Sequence, residues 1–98
     1  MRIVKRGRWR YDGSVEMPVD IVAFEFDWWH ELARQDGTLE PGAEPVPLGD
    51  NGLLYYVRFA RAGERSEPTW VDSTGHETAV AAMADAQEQS PAPIRWNR

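Results

Sequence analysis

The stretch from Leu53 to Trp96 constrains the fold of this chain most, because a strictly alternating segment in it is followed by a helical one. In residues 53–61 one set of alternate positions is wholly apolar, which predicts a half-buried strand; these are Leu53, Tyr55, Val57 and Phe59. A polar turn follows, and a short strand carrying Trp70 and Val71 is predicted over residues 68–72.

The main helix of this stretch is predicted over residues 75–89. Thr74 and Glu77 have the T-x-x-E spacing of a capping box, and Pro91 ends the helix because it lacks an amide hydrogen. Its apolar residues recur at helical spacing; they are Ala79, Val80, Met83 and Ala86. A face this rich in alanine is not stable alone, so we expect Val80 and Met83 to pack over the apolar face of the strand.

The tail supplies a last strand over residues 93–97, through Ile94 and Trp96. It would complete a strand-strand-helix-strand unit over residues 53–97, with a right-handed crossover if the strands on either side of the helix were parallel.

An opening hairpin is predicted over residues 2–28. Its first strand runs from Arg2 to Tyr11, Asp12-Gly13 forms the turn, and its second strand runs from Pro18 to about Trp28. Short helical structure is then expected from Trp29 to Gln35, ending at Asp36-Gly37, since glycine commonly follows a helix end.

A loop with three prolines and four glycines covers residues 37–52. Within this Pro/Gly loop a short edge strand is predicted at Val46 to Leu48, pairing with the strand from Leu53 through a Gly49 to Gly52 turn.

With 98 residues the chain is a single domain, residues 1–98, able to bury roughly two thirds of its unfolded surface. We predict an α+β fold: a two-layer sandwich in which one main helix packs on one face of a mostly antiparallel sheet of about four to six strands. The absence of cysteine excludes disulfides and thiolate chemistry. No apolar run is long enough to cross a membrane, so we expect a cytoplasmic protein with no membrane association.

Charge is unevenly distributed in this acidic chain of net charge -5. Five of the 11 basic residues lie in positions 1–10, which carry no acid, leaving six basic against 16 acidic residues in positions 11–98. The first strand mixes cations with aromatics, as single-stranded nucleic-acid binders do, through Arg6, Arg8, Trp9 and Arg10. Charged side chains also protect an exposed sheet edge, and the acidic rest of the chain repels nucleic acid. We therefore consider nucleic acid the less favoured partner.

Two histidines are candidates for chemistry. Asp27, His30 and Glu31 would share one side of a helical turn, but that spacing is common by chance, so we expect neither a metal nor another cofactor. His76, near the start of the main helix, has hydroxyls close by at Ser73 and Thr74, although helix capping explains them more simply. No catalytic motif is present, so we assign no catalytic residue and favour a binding function over an enzyme.

Aromatic residues are the feature in surplus, and they lead to the main functional hypothesis. Leu54 and Tyr56 are predicted on the strand face opposite the helix, where they would form an exposed apolar patch. We therefore expect a small interaction module that contacts a partner protein or small ligand through an aromatic sheet face and the Pro/Gly loop. The residues assigned to this surface are Trp28, Trp29, His30, Tyr56 and Trp70. A homodimer through the same face is one alternative, and a pocket enzyme using His30 or His76 with carboxylates is another.

Overall fold

The computed structural model describes residues 1–59 and 71–97, which form a four-stranded antiparallel sheet and two α-helices. The elements are β1 (Arg2–Tyr11), β2 (Val15–Phe24), α1 (Trp28–Asp36), β3 (Leu54–Phe59), α2 (Ala79–Gln89) and β4 (Arg95–Trp96). The strand order is β3-β2-β1-β4, and the predicted α+β class is confirmed. In the part of the chain described, neither helix has the length and apolar character needed to cross a bilayer.

The opening hairpin has the predicted first strand, but its second strand begins and ends earlier than predicted. Asp12 and Gly13 adopt positive φ angles of 51° and 70°, and Ser14 N donates to Tyr11 O at 3.1 Å, which closes the turn directly on β1. Pairing therefore starts at Val15, three residues before the predicted start, and Pro18 lies inside β2 opposite Arg8. The strand ends at Phe24 rather than Trp28, because the chain there turns into α1.

The outer edge of β3 is covered by residues 71–76. Tyr55 and His76 exchange backbone hydrogen bonds of 2.8 Å, and Asp72 N donates to Val57 O at 2.7 Å. Side chains satisfy the next amides, since Val57 N donates to Ser73 Oγ and Phe59 N donates to Asp72 Oδ2. Most of the strand predicted at 68–72 lies outside the described residues; the predicted strand at 46–48 is wrong, because that segment is irregular.

Helix α2 begins four residues later than predicted. Thr78, not Thr74, is the N-cap, and its Oγ1 accepts from Ala81 N at 3.1 Å. The pairing of His76 with Tyr55 holds the preceding segment extended, so the predicted capping box does not form.

The face of α2 toward the sheet shares Ala79, Met83 and Ala86 with the predicted one, but not Val80. It buries Ala82 and Ala86 in a cluster with strand residues of one sheet face: Val19, Ile21, Ala23, Tyr55 and Val57. Met83 packs at the margin of this cluster, whereas Val80 is 75 % exposed, so its predicted place over the sheet is wrong.

A second cluster occupies the opposite sheet face. Its buried members are Val22, Leu54, Tyr56 and Val71, with Ile3, Phe24 and Trp28 packed against them. Leu54 and Tyr56 are therefore fully buried, and the exposed apolar patch predicted from them is wrong. Sequence alternation assigned these two residues to the correct face, but it did not show that Trp28 folds back over that face.

The last strand, β4, pairs antiparallel with β1 through Gly7↔Trp96 and Arg8↔Arg95. It therefore lies at the opposite edge of the sheet from β3 and antiparallel to it, so the condition for a right-handed crossover is not met. Gly7 permits this arrangement, because a Cβ there would approach Trp96 Cε3 to 2.7 Å.

Candidate functional site

The β2–α1 junction is organised by Asp27, the N-cap of α1. Its Oδ1 accepts from His30 N at 3.2 Å, as a capping carboxylate does, and its Oδ2 accepts from Val46 N at 2.8 Å. One side chain thus connects the start of the helix to the Pro/Gly loop. We call the surface formed by Phe26, Asp27, Trp28, Trp29 and Val46 the Asp27 corner.

Tyr56 connects this corner to strand β3. Trp28 N donates to the Tyr56 hydroxyl at 2.9 Å, joining α1 to β3. Burial raises the pKa of Tyr56, and the nearby Asp27 carboxylate raises it further, so the phenol remains protonated. Of the predicted binding residues, Tyr56 is therefore structural: it is fully buried and offers no surface to a partner.

Three apolar side chains at the Asp27 corner remain open to solvent. Phe26 is 45 % exposed, Trp29 is 40 % exposed and Val46 is 50 % exposed. Trp29 is nevertheless held in place, because its Nε1 donates to Ser73 O at 2.8 Å and its ring lies edge-to-face on Trp28 at 4.8 Å. A fixed, half-exposed tryptophan is well suited to anchoring a partner, since little side-chain entropy is lost on binding.

An open groove of about 250 Å³ lies beside these residues; it is lined by Phe26, Trp28, Glu31, Leu32 and Gln35. Its lining is mixed, with three apolar and two polar residues. Hydrogen bonds from Arg34 and then Gln35 hold the pKa of Glu31 at about 2, so this carboxylate stays ionised at physiological pH and paired with Arg34.

His30 lies against the Pro/Gly loop. The ring is half-buried, with Nε2 3.4 Å from Ala43 O. The carboxylates suggested as co-ligands are already engaged, Asp27 by two backbone amides and Glu31 by Arg34 and Gln35. In residues 1–59 and 71–97 no group of three histidine or acidic side chains is placed to hold a metal ion.

His76 lies before α2, not within it as predicted. Its Nε2 is 2.7 Å from Asp85 Oδ2. Burial alone would raise the pKa of Asp85, but hydrogen bonds from Gln89 and His76 hold it below its usual value. The Ser73 hydroxyl accepts from Val57 N and donates to Thr74 O, both at 2.9 Å, so it forms no nucleophile-base pair with His76.

The basic and aromatic residues of β1 separate onto two faces. Arg6, Arg8 and Arg10 are exposed on alternate positions. Trp9 points the other way, packing on the helix-side cluster and against Phe59 at 6.5 Å. The stacking aromatic that a single-stranded nucleic acid needs is therefore not on the arginine face.

Sequence reasoning missed Phe26 and Val46, because both were placed in predicted strands. An informative signal was available in Asp27, an N-cap residue type directly before the first helical turn, which would have ended the strand earlier. Trp70, the remaining predicted binding residue, lies outside the described residues.

Comparison of the chain with protein-family models, curated protein sequences and solved structures found no match.

Proposed function

We propose that this protein is a small interaction module that binds a partner protein through the Asp27 corner. The observation that carries the proposal is that three exposed apolar residues, Phe26, Trp29 and Val46, are either close to Asp27 in sequence or hydrogen-bonded to it. Phe26 directly precedes Asp27, Trp29 follows two residues later, and Val46 is hydrogen-bonded to the carboxylate. Exposed aromatic and aliphatic residues gathered in this way are typical of binding surfaces.

The proposal includes the finer architecture of a two-layer sandwich, with α2 as the helical layer. In support, Ala82 and Ala86 share a cluster with Ile21 and Val57, while Trp28 packs on the cluster of the opposite face. The Asp27 corner would then lie on the sheet face away from α2.

A protein partner is favoured over a small ligand by the shape of the groove. Small-molecule sites are clefts or cavities of roughly 300–1,000 Å³ that bury most of the ligand's surface. The groove beside Phe26 is open and measures about 250 Å³, which suits one inserted side chain of a partner. The partner's contacting surface is expected to be apolar at its centre, facing Trp29, with a basic group near the exposed Glu25.

A photo-crosslinking amino acid at position 29 tests this proposal in cells that produce the protein. The matched control is position 80, because Val80 is an exposed apolar residue on α2. We expect one defined adduct from position 29 and none from position 80. Equal labelling from both positions would refute the assigned surface, and an adduct of the chain with itself would identify a homodimer.

Affinity measurements with the captured partner then test the anchor. Trp29→Ala should weaken binding by roughly thirtyfold, the effect of losing a hot spot of about 2 kcal/mol. Val80→Ala should leave the affinity unchanged. Circular dichroism on both variants would establish that the fold is retained.

Electrostatic steering of the association is tested separately. An acidic domain associates faster with a basic partner surface, and the exposed Glu25 lies directly before Phe26. Glu25→Gln should slow association at low salt and leave dissociation nearly unchanged. Asp27 is unsuitable for this experiment, because both of its carboxylate oxygens accept backbone hydrogen bonds.

A further inference from the structure

A separate concentration of positive charge lies where β4 joins β1. An open groove of about 230 Å³ there is lined by Arg8, Arg10, Pro93 and Arg95. We call it the arginine groove. Three guanidinium groups around one small depression are notable in a chain whose net charge is -5.

Strand geometry brings these arginines together. Arg8 and Arg95 are direct cross-strand neighbours in the β1–β4 ladder. Arg10 follows Arg8 by two residues on the same strand, so its side chain leaves the same face about 7 Å further along. Like charges placed directly opposite each other destabilise a sheet unless an anion lies between them.

Glu16 supplies one such anion from within the protein. It reaches across from β2, with Oε1 2.8 Å from Arg95 Nη2 and Oε2 3.4 Å from Arg8 Nη1. The carboxylate therefore bridges two guanidiniums with one oxygen each, which shows that the cluster can share an oxyanion. Arg10 forms no ion pair with any residue in the described ranges.

The charge that remains is two positive units, since three arginines face one glutamate. The side chains of Arg8 and Arg95 are 63 % and 73 % exposed, so the groove is open to a ligand from solvent. A phosphate monoester carries about −1.5 to −2 charges at neutral pH and presents three acceptor oxygens. Arginine matches such a group well, because its planar fork donates two parallel hydrogen bonds to one oxyanion.

We propose that the arginine groove binds a phosphate-type dianion, either free phosphate or a phosphate monoester on a larger molecule. This site is distinct from the Asp27 corner and does not depend on its function. A nucleic-acid strand fits less well, because its internal phosphodiesters carry one charge each and, among the described residues, no aromatic side chain lines the groove to stack a base.

Titration with inorganic phosphate, followed by NMR of the arginine side-chain Nε–Hε signals, tests the proposal. Ionic strength is held constant with sodium chloride at neutral pH. We expect saturable shifts confined to Arg8, Arg10 and Arg95. Arg10→Gln should weaken binding about three- to tenfold, as the loss of one exposed charge-assisted contact predicts. The control is Arg34→Gln, which removes an equally charged arginine from α1 and should have no effect.

Glu16→Gln separates binding from a merely structural role of the cluster. Because Glu16 competes with the ligand for Arg8 and Arg95, its neutralisation should tighten phosphate binding several-fold. Weaker binding in this variant would overturn the proposal, as would an absence of saturable shifts at millimolar phosphate.

Two further ligands distinguish the sources of the dianion. A phosphoserine peptide that binds more tightly than inorganic phosphate, with no binding of its unphosphorylated form, would support a phosphorylated protein segment. Equal affinity for the phosphoserine peptide and for inorganic phosphate would support free phosphate. Binding of an oligonucleotide without a terminal phosphate, together with no response to inorganic phosphate, would overturn the proposal in favour of a nucleic-acid strand.

Discussion

Replacing Asp27 by alanine should lower the free energy of unfolding by about 2 kcal/mol. The substitution removes the N-cap hydrogen bond from His30 N, a loss of about 1 kcal/mol in typical proteins. It also removes the 2.8 Å bond from Val46 N, for which about 1 kcal/mol is appropriate because that amide is near solvent and water replaces part of the loss. At about 4–8 °C per kcal/mol for a domain of this size, the melting temperature should fall by roughly 10 °C.

Thermal unfolding followed by circular dichroism measures this effect, and two variants control it. Asp27→Asn keeps one acceptor oxygen for the cap but turns an NH2 group toward the second amide, so it should lose about half as much stability. Asp36→Ala makes the same change at the C-terminal end of α1, where a negative charge opposes the helix dipole, so it should be neutral or slightly stabilising.

Hydrogen exchange localises the loss. In Asp27→Ala the amides of His30 and Val46 should exchange faster than in the wild type, since both have lost their acceptor. A melting temperature for Asp27→Ala within experimental error of the wild type, or of Asp36→Ala, would refute the role of Asp27 as the organising residue.

Three further predictions concern the rest of the fold. Gly7→Ala should destabilise by about 1–3 kcal/mol in urea unfolding, because the new Cβ would lie 2.7 Å from Trp96 Cε3; an unchanged midpoint would show that Trp96 does not pack there. Burial raises the pKa of Asp85, but hydrogen bonds from Gln89 and His76 outweigh it and keep this pKa below its usual 3.8. Asp85 therefore adds stability above pH 3.8 that is lost as the pH falls through its lower folded value, and Asp85→Asn should flatten this part of the pH–stability curve. Deleting residues 92–98 removes Ile94 and Trp96 from the helix-side cluster, so the truncated protein should be insoluble or molten, and two-state unfolding of a soluble form would contradict this.

The sequence correctly predicted the elements whose structure depends mainly on residues close together in the chain. The alternation in 54–59 predicted β3, Asp12-Gly13 predicted the hairpin turn, and Gly37 marked the end of α1, where it adopts a φ of 73°. Each of these depends on backbone preferences that act over a few residues.

Elements that depend on distant contacts were not predictable in this way. Thr74 and Thr78 are both acceptable helix caps, and the choice is made by the pairing of His76 with Tyr55, some twenty residues away in sequence. The position of β4 depends on Gly7, whose missing side chain accommodates Trp96 across the sheet. Tertiary contacts override local propensity in both cases.

The candidate site was predicted in part for the same reason. Trp29 is 40 % exposed, as expected for a residue of the predicted binding surface. Tyr56 is buried because Trp28 folds over it, an arrangement set by the hydrogen bond between Trp28 N and the tyrosine hydroxyl. A two-residue period assigns a side chain to a face of the sheet, but it does not show what covers that face.

The most direct test of the Asp27 corner as a binding surface is hydroxyl-radical footprinting of the protein, purified and inside the cells that produce it. Trp29 is 40 % exposed and should be oxidised in the purified protein. Tyr11, which is 58 % exposed at the hairpin turn, serves as an aromatic control. We predict that Trp29 is protected in cells while Tyr11 is oxidised to the same extent in both conditions. Equal oxidation of Trp29 in both conditions would contradict the account.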